Sequence, residues 1–113
     1  MCGIAGACWF AETDHDRIQS GLTQAVAAMH NRGPSSSGQA IWAVPGGAVA
    51  ALGSTRLAVL DLSEAGRQPM STPDGRVTIV YNGEITNYVE VRAALQGEGA
   101  TFSSTAVDGQ AFE

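Results

Sequence analysis

A chain of 113 residues, 44% of them hydrophobic, has material for one small domain and little margin for a second core. Its 11 acidic and 6 basic residues give a net charge of -5 without a long run of like charge, which argues against nucleic acid and anionic membranes as partners. The apolar start lacks a basic flank and is followed by acidic residues, so we expect no signal peptide, no membrane span and a cytoplasmic location.

The N-terminal part of the chain predicts a strand followed by an amphipathic helix. Residues 2–10 mix small and apolar residues with glycine, which is typical of a buried strand that another backbone or a ligand approaches closely. Asp14 or Asp16 caps the helix, which ends near the breakers of residues 31–34 and covers one face of a sheet. The apolar positions at helical spacing are Ile18, Leu22, Ala25, Val26 and Met29.

The middle of the chain predicts a loop and then an antiparallel meander. Residues 32–38 are so rich in turn formers that we expect a loop there. Three β-prone runs follow, and an antiparallel meander is their simplest arrangement. The runs cover residues 39–44, 48–52 and 57–62, and the turns between them cover residues 45–47 and 53–56.

The last third of the chain predicts one more strand and one more helix. A polar turn over residues 63–73 leads to a strand over residues 76–81, which runs into Asn82-Gly83. The tail over residues 97–113 is mostly small and polar, and we expect one short strand or a frayed end. The helix between them has its apolar positions at Tyr88, Val91, Ala94 and Leu95.

Cys2 is the candidate nucleophile. Removal of Met1 exposes an α-amino group on the residue that carries the thiol, so that nucleophile and base share one residue. Attack on an amide carbonyl builds negative charge on oxygen, and Asn82-Gly83 can supply a side-chain amide and a backbone N–H to that oxygen. An ordinary hairpin turn is the alternative for Asn82-Gly83.

The second cysteine, Cys8, has structural interpretations. A disulfide between Cys2 and Cys8 is conceivable, but a chain without an export signal favours free thiols. We expect Cys8 to be a buried small hydrophobe. Composition would allow a metal site that adds His15 and His30, but the spacing matches no zinc pattern, and we expect no metal.

Five short motifs follow one another along the chain. They are Met-Cys-Gly-Ile-Ala-Gly at 1–6, Arg-Gly-Pro at 32–34 with Gly38, Arg-Leu-Ala-Val-Leu-Asp-Leu-Ser at 56–63, Gln-Pro-Met at 68–70 and Tyr-Asn-Gly-Glu-Ile-Thr-Asn-Tyr at 81–88. In this order they resemble the class II glutamine amidotransferases, and among them the glutaminase domain of glutamine-hydrolysing asparagine synthetases. The resemblance implies an α+β fold, the four-layer αββα sandwich of N-terminal nucleophile hydrolases. Residues 1–113 would be a truncated glutaminase domain without the synthetase domain.

The resemblance also implies an activity and its residues. Glutamine is hydrolysed to glutamate and ammonia, and a synthetase domain in cis or in trans uses the ammonia to make asparagine from aspartate. Cys2 forms the thioester, Asn82 and Gly83 hold the oxyanion, and the planar fork of Arg56 binds the substrate α-carboxylate. The glutaminase step needs no cofactor, whereas ATP and Mg²⁺ belong to the absent synthetase domain. The other implied substrate contacts are Leu57, Leu60, Glu84 and Asp108.

Arg56 and Glu84 also have purely structural interpretations, and the sequence departs from the family pattern at several positions. Arg56 is alternatively a surface charge, and Glu84 a helix-start charge. Ser35 stands where the family usually has aspartate, Ser54 where it has histidine, and the carboxylate of Asp108 is displaced from the family's Ser-Asp-Thr-Glu pattern. These departures motivate a second hypothesis, a catalytically silent glutamine-binding or interaction module. A third, an inactive fragment, follows from the expectation that a partial sandwich leaves sheet edges and apolar surface open.

Overall fold

The structure, a computed structural model, describes residues 2–10, 14–58 and 66–102. In this part of the chain, two α-helices and antiparallel strands give the mixed α and β composition that the sequence predicts. The elements in chain order are β1 (Gly3–Trp9), α1 (His15–Ala28), a 3₁₀ turn (His30–Arg32), β2 (Ser36–Val44), β3 (Ala48–Arg56), β4 (Met70–Ser71), β5 (Thr78–Ile79) and α2 (Tyr88–Gly97).

The main sheet has three antiparallel strands in the order β1-β3-β2. The strands β2 and β3 form a hairpin whose turn contains Gly46 and Gly47, both at positive φ, a conformation that glycine adopts without steric cost. At the other end of the sheet, Gly3 on β1 lies opposite Thr55, and Ser36 on β2 lies opposite Arg56. The short strands β4 and β5 form a separate antiparallel ribbon.

Helix α1 covers one face of the main sheet, as predicted. Its N-cap is Asp14, whose carboxylate accepts from the backbone N–H of Asp16 at 2.9 Å. The buried positions Ile18, Leu22 and Val26 recur at helical spacing and supply the helix side of the core. Val49 and Ala51 of β3 supply the sheet side. Burial of each large side chain contributes roughly 1.5–3 kcal/mol.

The predicted meander is confirmed for its first hairpin, residues 39–44 and 48–52, but is wrong beyond it, because β3 runs on through residues 53–56 and pairs with β1 on its second side. Turn-forming residue types suggested a break there, but Gly53 supplies space for α1: a Cβ on it would lie 2.5 Å from Val26 Cγ2. Leu57 and Ala58 consequently follow the end of β3 and do not start the predicted strand, of which residues 59–62 lie outside the described residues.

Four other expectations also need correction. Residues 36–38 belong to β2 and not to a loop, because β3 offers them a pairing partner. Met70–Ser71 is a strand inside the predicted polar turn, and only Thr78–Ile79 of the predicted strand over residues 76–81 is paired. Cys8 is exposed and not buried, since alternation along β1 turns it away from α1.

Candidate functional site

Cys2 lies directly before β1, and its backbone is held from two sides. Arg32 Nε donates to the Cys2 carbonyl oxygen at 3.4 Å. The neighbouring Gly3 packs so closely that a Cβ on it would come within 2.8 Å of Met29 Sδ and Thr55 Oγ1. The Thr55 hydroxyl in turn donates to the Met29 carbonyl at 3.2 Å. The C-terminal end of α1 and the end of β3 therefore fix the main chain beside the thiol, which is half-buried and free.

Arg56 closes β3 one residue beyond Thr55, the partner of Gly3, so it lies at the same end of the sheet as Cys2. It is only 5% exposed. Gly66 packs against its guanidinium so tightly that a Cβ there would collide with it. The alternative of a plain surface charge is therefore wrong: Arg56 is a buried arginine.

Ser35 fastens the loop beside Arg56 to the end of β3. Its backbone N–H donates to the Arg56 carbonyl at 3.0 Å, and its hydroxyl accepts from the Ala58 N–H at 3.1 Å. Gly33 makes this approach feasible, because a Cβ on it would lie 2.7 Å from the Arg56 nitrogen. Ser35, where the family resemblance predicts aspartate, therefore connects the two segments.

Ser54 and Gln68 connect the sheet to the segment that follows it. Ser54 is 3% exposed, and its hydroxyl donates to the Gln68 carbonyl at 2.8 Å. Gly38 lies opposite Ser54 in the β2–β3 register, and a Cβ on Gly38 would collide with that same carbonyl oxygen. The main chain at Gln68 thus rests on the face of the sheet that α1 does not cover.

The Asn82-Gly83 segment is linked to this region through Tyr81. The Tyr81 N–H donates to Gln68 Oε1 at 2.6 Å. A Cβ on Gly83 would lie 2.6 Å from Tyr81 Oη, so Gly83 packs against the Tyr81 side chain. Within the described residues the exposed side chains of Asn82 and Glu84 form no hydrogen bond.

The structure therefore brings Cys2 and Arg56 to one end of the sheet and ties Asn82 to β3 indirectly. Leu57 follows Arg56 and is exposed. The candidate contacts Leu60 and Asp108 lie outside the described residues. Sequence reasoning assigned no role to Gln68. Its place in the Gln-Pro-Met motif was the available signal, but its partners are remote in sequence.

The described residues contain neither a cluster of metal ligands nor a membrane-spanning helix. No three His, Cys, Asp or Glu side chains among residues 2–10, 14–58 and 66–102 cluster as metal ligands would. Neither α1 nor α2, the helices of the described part of the chain, is long and apolar enough to cross a membrane.

Comparison with known proteins adds independent evidence on ancestry. The sequence pattern of the family described as "Glutamine amidotransferase domain" matches residues 1–109. The chain is 34% identical to asparagine synthetase (glutamine-hydrolyzing) 1 of Bacillus subtilis over 92% of its length, and 36% identical to asparagine synthetase (glutamine-hydrolyzing) 3 of the same organism over 93%. It spans 16% of the length of each of these relatives.

No solved structure matches the chain. The family match nevertheless covers nearly every residue, and the order of the motifs agrees with it. The chain belongs to the glutamine amidotransferase domain family.

Proposed function

We propose that this chain is a glutaminase module that hydrolyses the side-chain amide of glutamine and supplies ammonia for the synthesis of asparagine from aspartate. The observation that carries the proposal is the position of Cys2 beside the end of β3 that bears the buried Arg56. The names of the two Bacillus relatives support the downstream use. The synthetase partner, in cis or in trans, would bind ATP and Mg²⁺, and the glutaminase step would need neither. The cytoplasm is the proposed location.

The proposed reaction begins once Met1 has been removed. The Cys2 thiol attacks the Cδ carbon of glutamine, its proton passes to the Cys2 α-amino group, and the carbonyl oxygen becomes an oxyanion. Collapse of this intermediate breaks the C–N bond, and the leaving nitrogen takes a proton and departs as ammonia. Water then attacks the thioester, which yields glutamate and regenerates the thiol.

The other proposed roles are stabilisation of the oxyanion and binding of the substrate. The Asn82 side-chain amide and the Gly83 N–H donate to the oxyanion, and loss of one such donor costs about 3 kcal/mol of transition-state stabilisation. Arg56 binds the α-carboxylate. The family resemblance assigns Asp108 to the substrate ammonium group, and it assigns Glu84, Leu57 and Leu60 to the glutamine pocket. In this proposal the chain holds part of the four-layer αββα sandwich of N-terminal nucleophile hydrolases.

The test is the intact mass of the purified chain before and after incubation with 6-diazo-5-oxo-norleucine, a glutamine analogue. The nucleophile would displace dinitrogen and leave a stable thioether. We expect loss of Met1 and one adduct that is absent from Cys2→Ala and retained in Cys8→Ala. An unmodified chain, or an adduct that survives in Cys2→Ala, would contradict the proposal.

A catalytically silent glutamine-binding module is the second candidate. The observation that favours it is the hydrogen bond of Ser54, where the family resemblance predicts histidine, to the backbone carbonyl of Gln68, since this contact gives Ser54 a structural task and not a catalytic one. Thermal stabilisation by glutamine without ammonia release and without labelling of Cys2 would support the silent module over the enzyme.

A further inference from the structure

Gln68 is a buried polar residue to which neither the sequence motifs nor the proposed chemistry gives a role. It is 7% exposed, and it lies where three segments meet. Its carbonyl oxygen rests against Gly38 of β2 and accepts from the Ser54 hydroxyl of β3. Its side-chain oxygen accepts from the Tyr81 N–H at 2.6 Å. One residue thus joins two strands of the main sheet to the segment that leads into Asn82.

The three contacts of Gln68 involve different parts of the residue: two hold its main chain and one is made by its side chain. The Ser54 hydroxyl and the Gly38 backbone fix the main chain of Gln68 on the sheet. The side-chain amide then reaches from this fixed base to the Tyr81 N–H. Asn82 follows Tyr81 in the chain, and Gly83 packs on the Tyr81 side chain. Both candidate oxyanion donors therefore adjoin Tyr81, whose backbone N–H is bound by Gln68.

Oxyanion donors are effective when they are fixed before charge develops. We propose that Gln68 is a positioning residue, which holds the Asn82-Gly83 segment against β3 through its hydrogen bond to Tyr81 N–H. The proposal rests on the proposed function only for the consequence of this positioning, namely faster glutamine hydrolysis. The hydrogen bond itself is tested without reference to activity.

The first measurement is hydrogen exchange of the Tyr81 amide by NMR. In Gln68→Met the side chain has similar length but no acceptor, and we expect exchange to accelerate about fivefold, as loss of one partly buried hydrogen bond implies. Gln68→Glu keeps an acceptor oxygen and should restore most of the protection. The matched control is Gln39→Met, because Gln39 Oε1 also accepts side-chain hydrogen bonds, at 3.0 Å from Gln19 Nε2, but on the α1 side of the sheet.

The second measurement is glutamine hydrolysis by the same variants. A displaced oxyanion donor affects the transition state more than substrate binding, so Gln68→Met should lower kcat about tenfold and leave KM nearly unchanged. Gln68→Glu should recover most of kcat. If Gln68→Met only lowered stability, it would reduce the fraction of active enzyme. In that case Gln68→Glu would not restore kcat and the protection of the Tyr81 amide together.

The outcomes separate this proposal from the proposed function. Unchanged Tyr81 exchange in Gln68→Met would overturn the positioning role, and so would faster exchange with unchanged kcat in an active enzyme. If the wild-type chain neither hydrolyses glutamine nor is labelled at Cys2, the proposed function fails, while accelerated exchange still supports Gln68 as the residue that holds this segment. If Gln68→Met does not fold, Ser54→Ala replaces it, because it removes the hydrogen bond that holds the main chain of Gln68 on the sheet. Ser54→Ala must then accelerate exchange of the Tyr81 amide, and unchanged exchange would overturn the proposal.

Discussion

The hydroxyl of Ser54 donates a 2.8 Å hydrogen bond to the backbone carbonyl of Gln68, and both residues are buried. This contact joins the middle strand of the sheet to a segment 14 residues further along the chain. The family resemblance predicts histidine at the position of Ser54. In this chain Ser54 stabilises the contact between the two segments, because without its hydroxyl the buried Gln68 carbonyl would lose a hydrogen-bond donor.

Ser54→Ala should lower the free energy of unfolding by about 1 kcal/mol, the typical net value of one hydrogen bond, because the buried Gln68 carbonyl loses its donor. Urea denaturation followed by circular dichroism measures it. Ser37→Ala is the matched control, since Ser37 is exposed on the neighbouring strand. Equal losses in the two variants would contradict a specific role for the Ser54 contact.

Gly38→Ala and Gly21→Ala should change stability in opposite directions. A methyl group on Gly38 would meet the backbone carbonyl of Gln68, and overpacking of this kind costs roughly 1–3 kcal/mol. Gly21 lies inside α1 with nothing within 4 Å of the added Cβ, so alanine there should stabilise by up to about 1 kcal/mol. Thermal denaturation of both variants checks the signs, and a stabilised Gly38→Ala would show that Gln68 does not rest on the sheet.

Leu22→Ala should be among the more damaging substitutions in α1. Leu22 is buried in the core next to Gly53, and truncation of such a leucine typically costs about 2–5 kcal/mol. The control Gln24→Ala, on an exposed position of the same helix, should remain within about 0.5 kcal/mol of wild type. Similar denaturation midpoints for the two variants would argue against the packing of α1 on β3.

Arg32→Ala should slow labelling of Cys2 by the glutamine analogue. The Arg32 guanidinium holds the Cys2 carbonyl through an exposed bond of 3.4 Å, so a loss of about 1 kcal/mol, or about fivefold in rate, is an upper value. Arg17→Ala is the control, because Arg17 is exposed near the start of α1. The rate of adduct formation by mass spectrometry decides the matter, and equal rates would leave Arg32 without a role at the nucleophile.

Asp74 should titrate at a lower pH than an ordinary aspartate. Its carboxylate accepts from the Thr72 hydroxyl and from the Arg76 N–H, and these bonds lower its pKa from the usual 3.8. A lowered folded-state pKa means that the stabilisation is present above pH 3.8 and is lost as the pH falls through the folded-state value. An NMR titration of the Asp74 carboxyl carbon tests this, and Thr72→Val should move the pKa back towards 3.8.

Local sequence signals identified the elements whose determinants lie within a few residues of each other. An aspartate cap, at Asp14 or Asp16, and the helical spacing of the apolar residues were enough to predict α1, and the structure identifies Asp14 as the cap. The Gly46-Gly47 turn, likewise, depends on backbone freedom that glycine alone supplies. The order of the motifs was enough to identify the family, and the family match confirms it.

The sequence by itself thus determined α1, the hairpin turn and the family, because periodicity, capping and turn chemistry are local properties. Only the tertiary structure decided that β3 continues through residues 53–56, since the reason is the packing of Leu22 and Val26 on Gly53. The same holds for Gln68, whose partners, Ser54 and Tyr81, lie 14 and 13 residues away. Burial and hydrogen bonding between remote segments override the local preferences of turn-forming residues, and only the folded chain brings those segments together.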